Sequence, residues 1–118
     1  IGTLDRGDFA PDPDLPDGFT RITPRHYTNT GYDRGHNCPS KDRSANREDN
    51  DAVFFMTNMT PQMHGMNAGA WENLERYTRE LVADGNECYV ICGHGFTRGE
   101  PGKRIGPERI AVPDFGWK

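Results

Sequence analysis

Apolar residues are scarce in this chain. They make up 33% of its 118 residues, against about 45–50% in ordinary globular domains. A chain of this length and composition can build one small domain with a thin core, and residues 1–118 are read as that single domain. No apolar run approaches the roughly 20 residues that span a bilayer, which excludes a membrane anchor of that kind within these residues. No secretory leader is visible, and a processed chain would show none. The chain opens on Ile1, as a trimmed or mature chain would. It closes on Phe115-Gly116-Trp117-Lys118, an apolar ending expected to pack against something further on.

Positive charge is also in deficit. Lys and Arg number 14 against 18 Asp and Glu, a formal net charge of −4. That argues against a protein coating DNA through bulk electrostatics. A local cationic cleft remains compatible, because screening confines each charge to about 10 Å. Cysteine is limited to Cys38, Cys88 and Cys92, an odd count that leaves at least one thiol unpaired within the chain. If the segment from Cys88 to Cys92 is extended, the two lie roughly 13 Å apart, too far for a disulfide. Cys38 can pair with either only through tertiary contact. Cys88, Cys92 and His94, with Cys38 as a fourth ligand, form a minor rival reading as a structural zinc site.

What is abundant is turn formers, with 14 Gly and nine Pro. Residues 5–18 are rich in Asp, Pro and Gly and read as loop. Phe19 to Ile22 is expected as a short strand, Thr28 to Gly31 as a turn, and residues 40–51 as polar loop with a helical turn. Ala52 to Met56 is an apolar run of strand length. Thr57 to Met66, broken by Pro61 and Gly65, reads as a long loop. Trp71, Leu74, Tyr77 or Thr78, and Leu81-Val82 recur at helical spacing and predict a helix over 68–84. Asn67 is its expected N-cap and Gly85 its stop. Glu87 to Cys92 and Arg109 to Val112 are the remaining expected strands, with loop over Gly99 to Gly106. The pattern of strand, strand, helix, strand with long loops gives an α+β domain.

The chemistry lies in Asp33-Arg34-Gly35-His36, in Asn67 and in Glu75. Cutting a phosphodiester in water requires a base for the attacking water, an offset for the phosphate charge, and help for the leaving 3′-oxygen. His36 is the candidate base, because a neutral imidazole accepts a proton near neutral pH. A lone histidine is more often structural; the neighbouring Gly35, which permits close backbone approach, and Arg34, a fork for phosphate, favour the chemical reading. Asp33 is expected either to orient its neighbours or to satisfy backbone donors. Asn67 offers the hard oxygen that Mg²⁺ accepts alongside water. Glu75 lies two turns further along the same helix, and Arg79 about 40° round from it. Those two fit either an ordinary surface ion pair or a carboxylate holding metal-bound water beside an arginine on phosphate.

Four ordered motifs then carry a resemblance: Tyr32-Asp33-Arg34-Gly35-His36, Pro39-Ser40-x-Asp42-Arg43, Met56-Thr57-Asn58-Met59-x-Pro61-Gln62 and Asn67-x-x-x-Trp71-x-Asn73-Leu74-Glu75. Together they resemble the DNA/RNA non-specific endonuclease family, the His-Me finger or ββα-metal nucleases, from about Arg6 to the end of the chain. The resemblance implies a nuclease core on an antiparallel sheet, here a fragment of a larger catalytic domain whose strands continue beyond Trp117. It implies His36 as general base, Asn67 as the direct protein ligand of Mg²⁺ (with Mn²⁺ able to substitute), and Glu75 as the carboxylate on metal-coordinated water. Arg79 matches an arginine near phosphate or leaving group, and Arg6, in Arg6-Gly7-Asp8-Phe9, the arginine that stabilises the pentacoordinate phosphate. Asp33 and Arg34 take supporting roles. DNA and RNA, single- or double-stranded, are the implied substrates, 5′-phosphates the implied products, and a protein inhibitor an implied partner. Secretion or export to the periplasm is expected, with a mitochondrial location as the alternative. The three cysteines are not part of the family pattern. A catalytically silent module of the same fold, binding nucleic acid or an inhibitor, is the rival reading.

Overall fold

Three antiparallel two-stranded ladders and one long broken helix make up the computed structural model, which describes residues 1–118. β1 (Asp33–His36) pairs with β2 (Met59–Gln62), β3 (Gly93–Gly95) with β6 (Phe115–Trp117), and β4 (Lys103–Ile105) with β5 (Ile110–Val112). The helices are α1 (Arg47–Ala52), α2 (His64–Met66) and α3 (Glu72–Ala83), the last two joined by a π-helical turn over Asn67–Trp71. The α+β class with antiparallel strands is therefore as expected.

The register of β1 on β2 places the site. Asp33 faces Gln62, Arg34 faces Pro61, Gly35 faces Thr60 and His36 faces Met59. Gly35 is buried, and a Cβ there would run into the side chain of Gln62, itself only 2% exposed. Glycine is what lets β1 lie this close to Gln62. Pro61 hides β2 from a reading by sequence, because proline normally argues against a strand. It is tolerated here because β2 pairs on one side only.

A small core of Tyr27, Met56, Met59, Ile105 and Val112 fills the space between β2 and the β4–β5 hairpin, with Phe9, Ile22, Tyr32 and Ile110 packed against it. Phe54, fully buried, sits apart under the first loop. The thin core anticipated from composition is what forms.

Several local expectations are corrected. Phe19 to Ile22 is irregular, and Phe19 is 69% exposed, with no strand to pair with. The apolar run from Ala52 to Met56 is the end of α1, a turn and the start of a 3₁₀ turn. Its buried Val53, Phe54 and Met56 show why a short apolar run cannot be told from a buried turn by pattern alone. Glu87 to Cys92 forms no ladder; Tyr89 and Ile91 are largely exposed and no strand of this chain lies beside them. Conversely, β2 and β4 arise inside two stretches expected to be loop. The segment 40–51 is more ordered than expected, with a 3₁₀ turn at Ser40–Arg43 and α1 capped by Asn46, whose side chain accepts from the Asp49 amide. The turn after Tyr27 and the stop at Gly85 are as expected, with Asn29 and Gly85 both at positive φ.

Asn67 is not an N-cap. The helical path begins one turn earlier, after the extended Met63, and Asn67 has helical angles within it. Gly69 then departs from helical geometry (φ −116°, ψ −108°), which widens the turn before α3 starts. Such π-bulges occur frequently at functional sites.

Candidate active site

β1, the π-turn, α3 and the N-terminal loop converge on one cleft of about 490 Å³. Arg6, Asp33, Arg34, His36, Asn67, Glu75 and Arg79 all line it. These are the seven residues expected from the sequence, and the fold brings them together across up to 73 positions of chain, from Arg6 to Arg79.

His36 packs against two phenylalanines that also touch each other. Its ring lies 4.9 Å from Phe54, edge on at 88°, and 5.6 Å from Phe9. Its backbone carbonyl accepts the Trp71 indole N–H at 3.0 Å, tying the end of β1 to the π-turn. The ring Nε2 is buried without a partner, whereas Nδ1 makes no hydrogen bond within the chain and is the less enclosed nitrogen. Burial, then the charges of Arg6 and Lys118, bring His36 down to about 4. The imidazole is therefore neutral at pH 7, and in the tautomer protonated at Nε2 its lone pair lies on Nδ1, the less enclosed nitrogen.

Asp33 organises the opposite wall. One carboxylate oxygen, Oδ2, accepts from the Asn67 side-chain amide at 3.0 Å and from His64 Nδ1 at 2.8 Å. Burial works against the charge on Asp33, but these two hydrogen bonds and the nearby His64 and Arg34 charges outweigh it and lower its pKa. Because Asn67 uses its NH₂ on Asp33, its Oδ1 is the atom left for the cleft, and that oxygen makes no hydrogen bond within the chain. A free, pre-oriented amide oxygen beside a carboxylate is a donor set that fits a hard, hydrated cation such as Mg²⁺. His64, unassigned from the sequence, thus contacts the site through Asp33.

Glu75 and Arg79 do not pair with each other. Glu75 Oε1 takes the ammonium of Lys118 at 2.7 Å, and Arg79 bonds Asp42 at 3.0 Å across to the 3₁₀ turn. Burial raises Glu75, partly offset by the hydrogen bond and charge of Lys118. Arg6 and Arg34 form no ion pair. They lie over aromatic rings instead, Arg34 4.1 Å from Phe9 and Arg6 5.5 Å from Phe54. Guanidinium groups steadied on rings and free of carboxylates are suited to an incoming phosphate.

Sequence reasoning missed Phe9, Lys41 and Lys118. Phe9 and Lys41 line the cleft, and Lys118 is buried behind it. Nothing local marks them, since each reaches the site by tertiary contact. The zinc reading is not supported. All three cysteines are free, Cys88 Sγ lies 4.0 Å from the Thr78 carbonyl, Cys92 Sγ lies 3.8 Å from that of Asn37, and the His94 ring packs at a tilt against Trp71. No three His, Cys, Asp or Glu side chains gather to hold a metal.

Comparison with known proteins fits this geometry. The family described as DNA/RNA non-specific endonuclease matches residues 1–118. The chain belongs to that family. It is 46% identical over 119 residues to a nuclease of Nostoc sp., covering all of this chain and 42% of the relative. It is 33% identical over 128 residues to the mitochondrial nuclease EXOG of Xenopus laevis, again covering the whole chain and 36% of the relative. Among solved structures, the crystal structure of the EndoG/EndoGI complex matches with a TM-score of 0.74 and 28% identity, over 96% of this chain and 50% of that one. The chain spans half or less of the length of these members of the endonuclease family.

Proposed function

We propose that this cleft hydrolyses phosphodiester bonds of DNA and RNA without selecting the sugar, leaving 5′-phosphates, with one Mg²⁺ or, in its place, Mn²⁺. The observation that carries the reading is the meeting of His36, Asn67 and Glu75 in one cleft with the unpaired Arg6 and Arg34. Asn67 would hold the cation directly through Oδ1, and Glu75 through water. When bound, the cation supplies positive charge against the phosphate and the leaving 3′-oxygen. His36, kept neutral by burial, takes the proton of the attacking water. Arg6 and Arg34 hold phosphate oxygens, with Arg79 beside them, so the backbone is gripped with little use of base identity. Asp33 fixes Asn67.

The mitochondrial relative and the inhibitor complex bear on two further proposals. We assign the protein to the extracellular or periplasmic space, with mitochondria as the alternative that the EXOG match favours. A protein inhibitor covering the cleft is proposed by analogy with the EndoG/EndoGI complex. Residues 1–118 are proposed as part of one catalytic domain that is larger than this stretch.

The test is cleavage of supercoiled plasmid and of total RNA by the intact protein, with Mg²⁺ and with EDTA, followed by end-group analysis. Mg²⁺-dependent loss of both substrates with 5′-phosphate ends supports the proposal. Cleavage that persists in EDTA, or no cleavage by the folded protein with binding retained, contradicts it and favours the silent binding module.

A further inference from the structure

Lys118 is the most enclosed cation of the site, and the proposed chemistry does not use it. Its side chain is 5% exposed and that of its partner Glu75 is 11% exposed. The ammonium lies 2.7 Å from Glu75 Oε1 and 4.5 Å from the centre of the Trp71 ring. Trp71 is itself 5% exposed and donates to the His36 carbonyl. Lys118 therefore touches the carboxylate of the cleft on one side. On the other it touches the ring that anchors the strand carrying the base.

Burying two charges is costly even when they pair, and an apolar pair of similar volume is often as stable. The geometry here does something an apolar pair cannot. A carboxylate has two oxygens, and Lys118 occupies only Oε1. Oε2 makes no hydrogen bond within the chain, while Glu75 lines the cleft. With Oε1 pinned from behind, the carboxylate is fixed in one orientation.

We propose that Lys118 is a positioning residue of the cation site, clamping Glu75 by one oxygen so that the other is presented to the cleft. The proposal rests on the reading of Glu75 as an outer ligand. A plain structural strut between β6 and α3 would use the same contact, so the test must separate the two.

The experiment is Mn²⁺ affinity of the intact protein, measured by the loss of free-ion electron paramagnetic resonance signal. Four proteins form a cycle: wild type, Lys118→Met, Glu75→Gln and the double variant. Thermal unfolding is recorded alongside. Outer partners of metal ligands typically change affinity 10–100-fold. Lys118→Met is expected to weaken Mn²⁺ about tenfold or more in the wild-type background and to have almost no further effect once Glu75→Gln is present. Lys118→Arg is expected to restore most of the affinity. Equal losses in both backgrounds, or unchanged affinity in Lys118→Met, would overturn the clamp while leaving the reading of the cation site intact. Absence of Mn²⁺ binding by wild type would overturn both. If Lys118→Met does not fold, Lys118→Gln takes its place in the same cycle.

Discussion

The side-chain amide of Asn67 donates to Asp33 at 3.0 Å, which fixes which end of that amide faces the cleft. The carboxylate at the start of β1 thereby sets the orientation of a group on the π-turn, 34 residues later. Asp33→Ala removes the only acceptor of that NH₂ group and frees the amide to turn its donor outward. Mn²⁺ affinity is expected to fall about 10–100-fold with the fold intact. Titration of Mn²⁺ checks this, and unchanged affinity would show that Asn67 is oriented by something else.

His36 gives a pH dependence of stability with a definite sign. Its pKa is brought down to about 4 in the folded protein, against about 6.5 in an unfolded chain. Between those values the unfolded chain binds a proton that the folded chain does not, so stability falls as pH drops from about 6.5 to about 4. His36→Phe keeps an aromatic ring against Phe9 and Phe54 and removes the titration. Urea midpoints from pH 7 to pH 4 are expected to fall more for wild type than for His36→Phe. Parallel curves would mean that the imidazole is solvated after all.

Gly35→Ala tests the close approach of β1 to β2. The added methyl meets the buried side chain of Gln62. Overpacking of this kind costs about 1–3 kcal/mol. Shortening the obstacle with Gln62→Ala in the same protein is expected to remove much of the added cost, because the two changes share one space. Additive urea-denaturation losses would contradict the contact.

Asn50 is 1% exposed and its NH₂ group donates to the Ser40 and Arg43 carbonyls at 3.1 and 3.0 Å. It staples α1 to the turn that carries Asp42, the partner of Arg79. Asn50→Ala leaves these partly buried carbonyls without their donor, at about 1–3 kcal/mol at most. Chemical denaturation measures the loss, and a change below a few tenths of a kcal/mol would show that water replaces the amide.

The legibility of the chain was uneven for physical reasons. The long helix was visible because Trp71, Leu74 and Leu81 repeat at helical spacing. Its true start at His64 was not, because Asn67 looks like a cap and Gly69 breaks the period. β2 was hidden by Pro61, tolerable only on a strand paired on one side. The segment around Tyr89 has strand composition but no neighbour in this chain, and pairing needs a partner as well as propensity. The candidate site was more legible than the fold, since residue type and motifs single out His36, Asn67 and Glu75, which the fold brings into one cleft. Lys118 and His64 were not, because their roles exist only as contacts at 2.7 and 2.8 Å.

The most direct test of the account separates binding from cutting at His36. A fluorescent DNA duplex and an RNA strand are followed by anisotropy for binding and by gel for cleavage, in Mg²⁺, with wild type and His36→Ala. The account predicts that wild type cuts both, and that His36→Ala binds both with nearly unchanged affinity while cleavage falls about 10²–10⁴-fold. Cleavage that survives in His36→Ala, at a rate close to wild type, would contradict the assignment of His36 as the base.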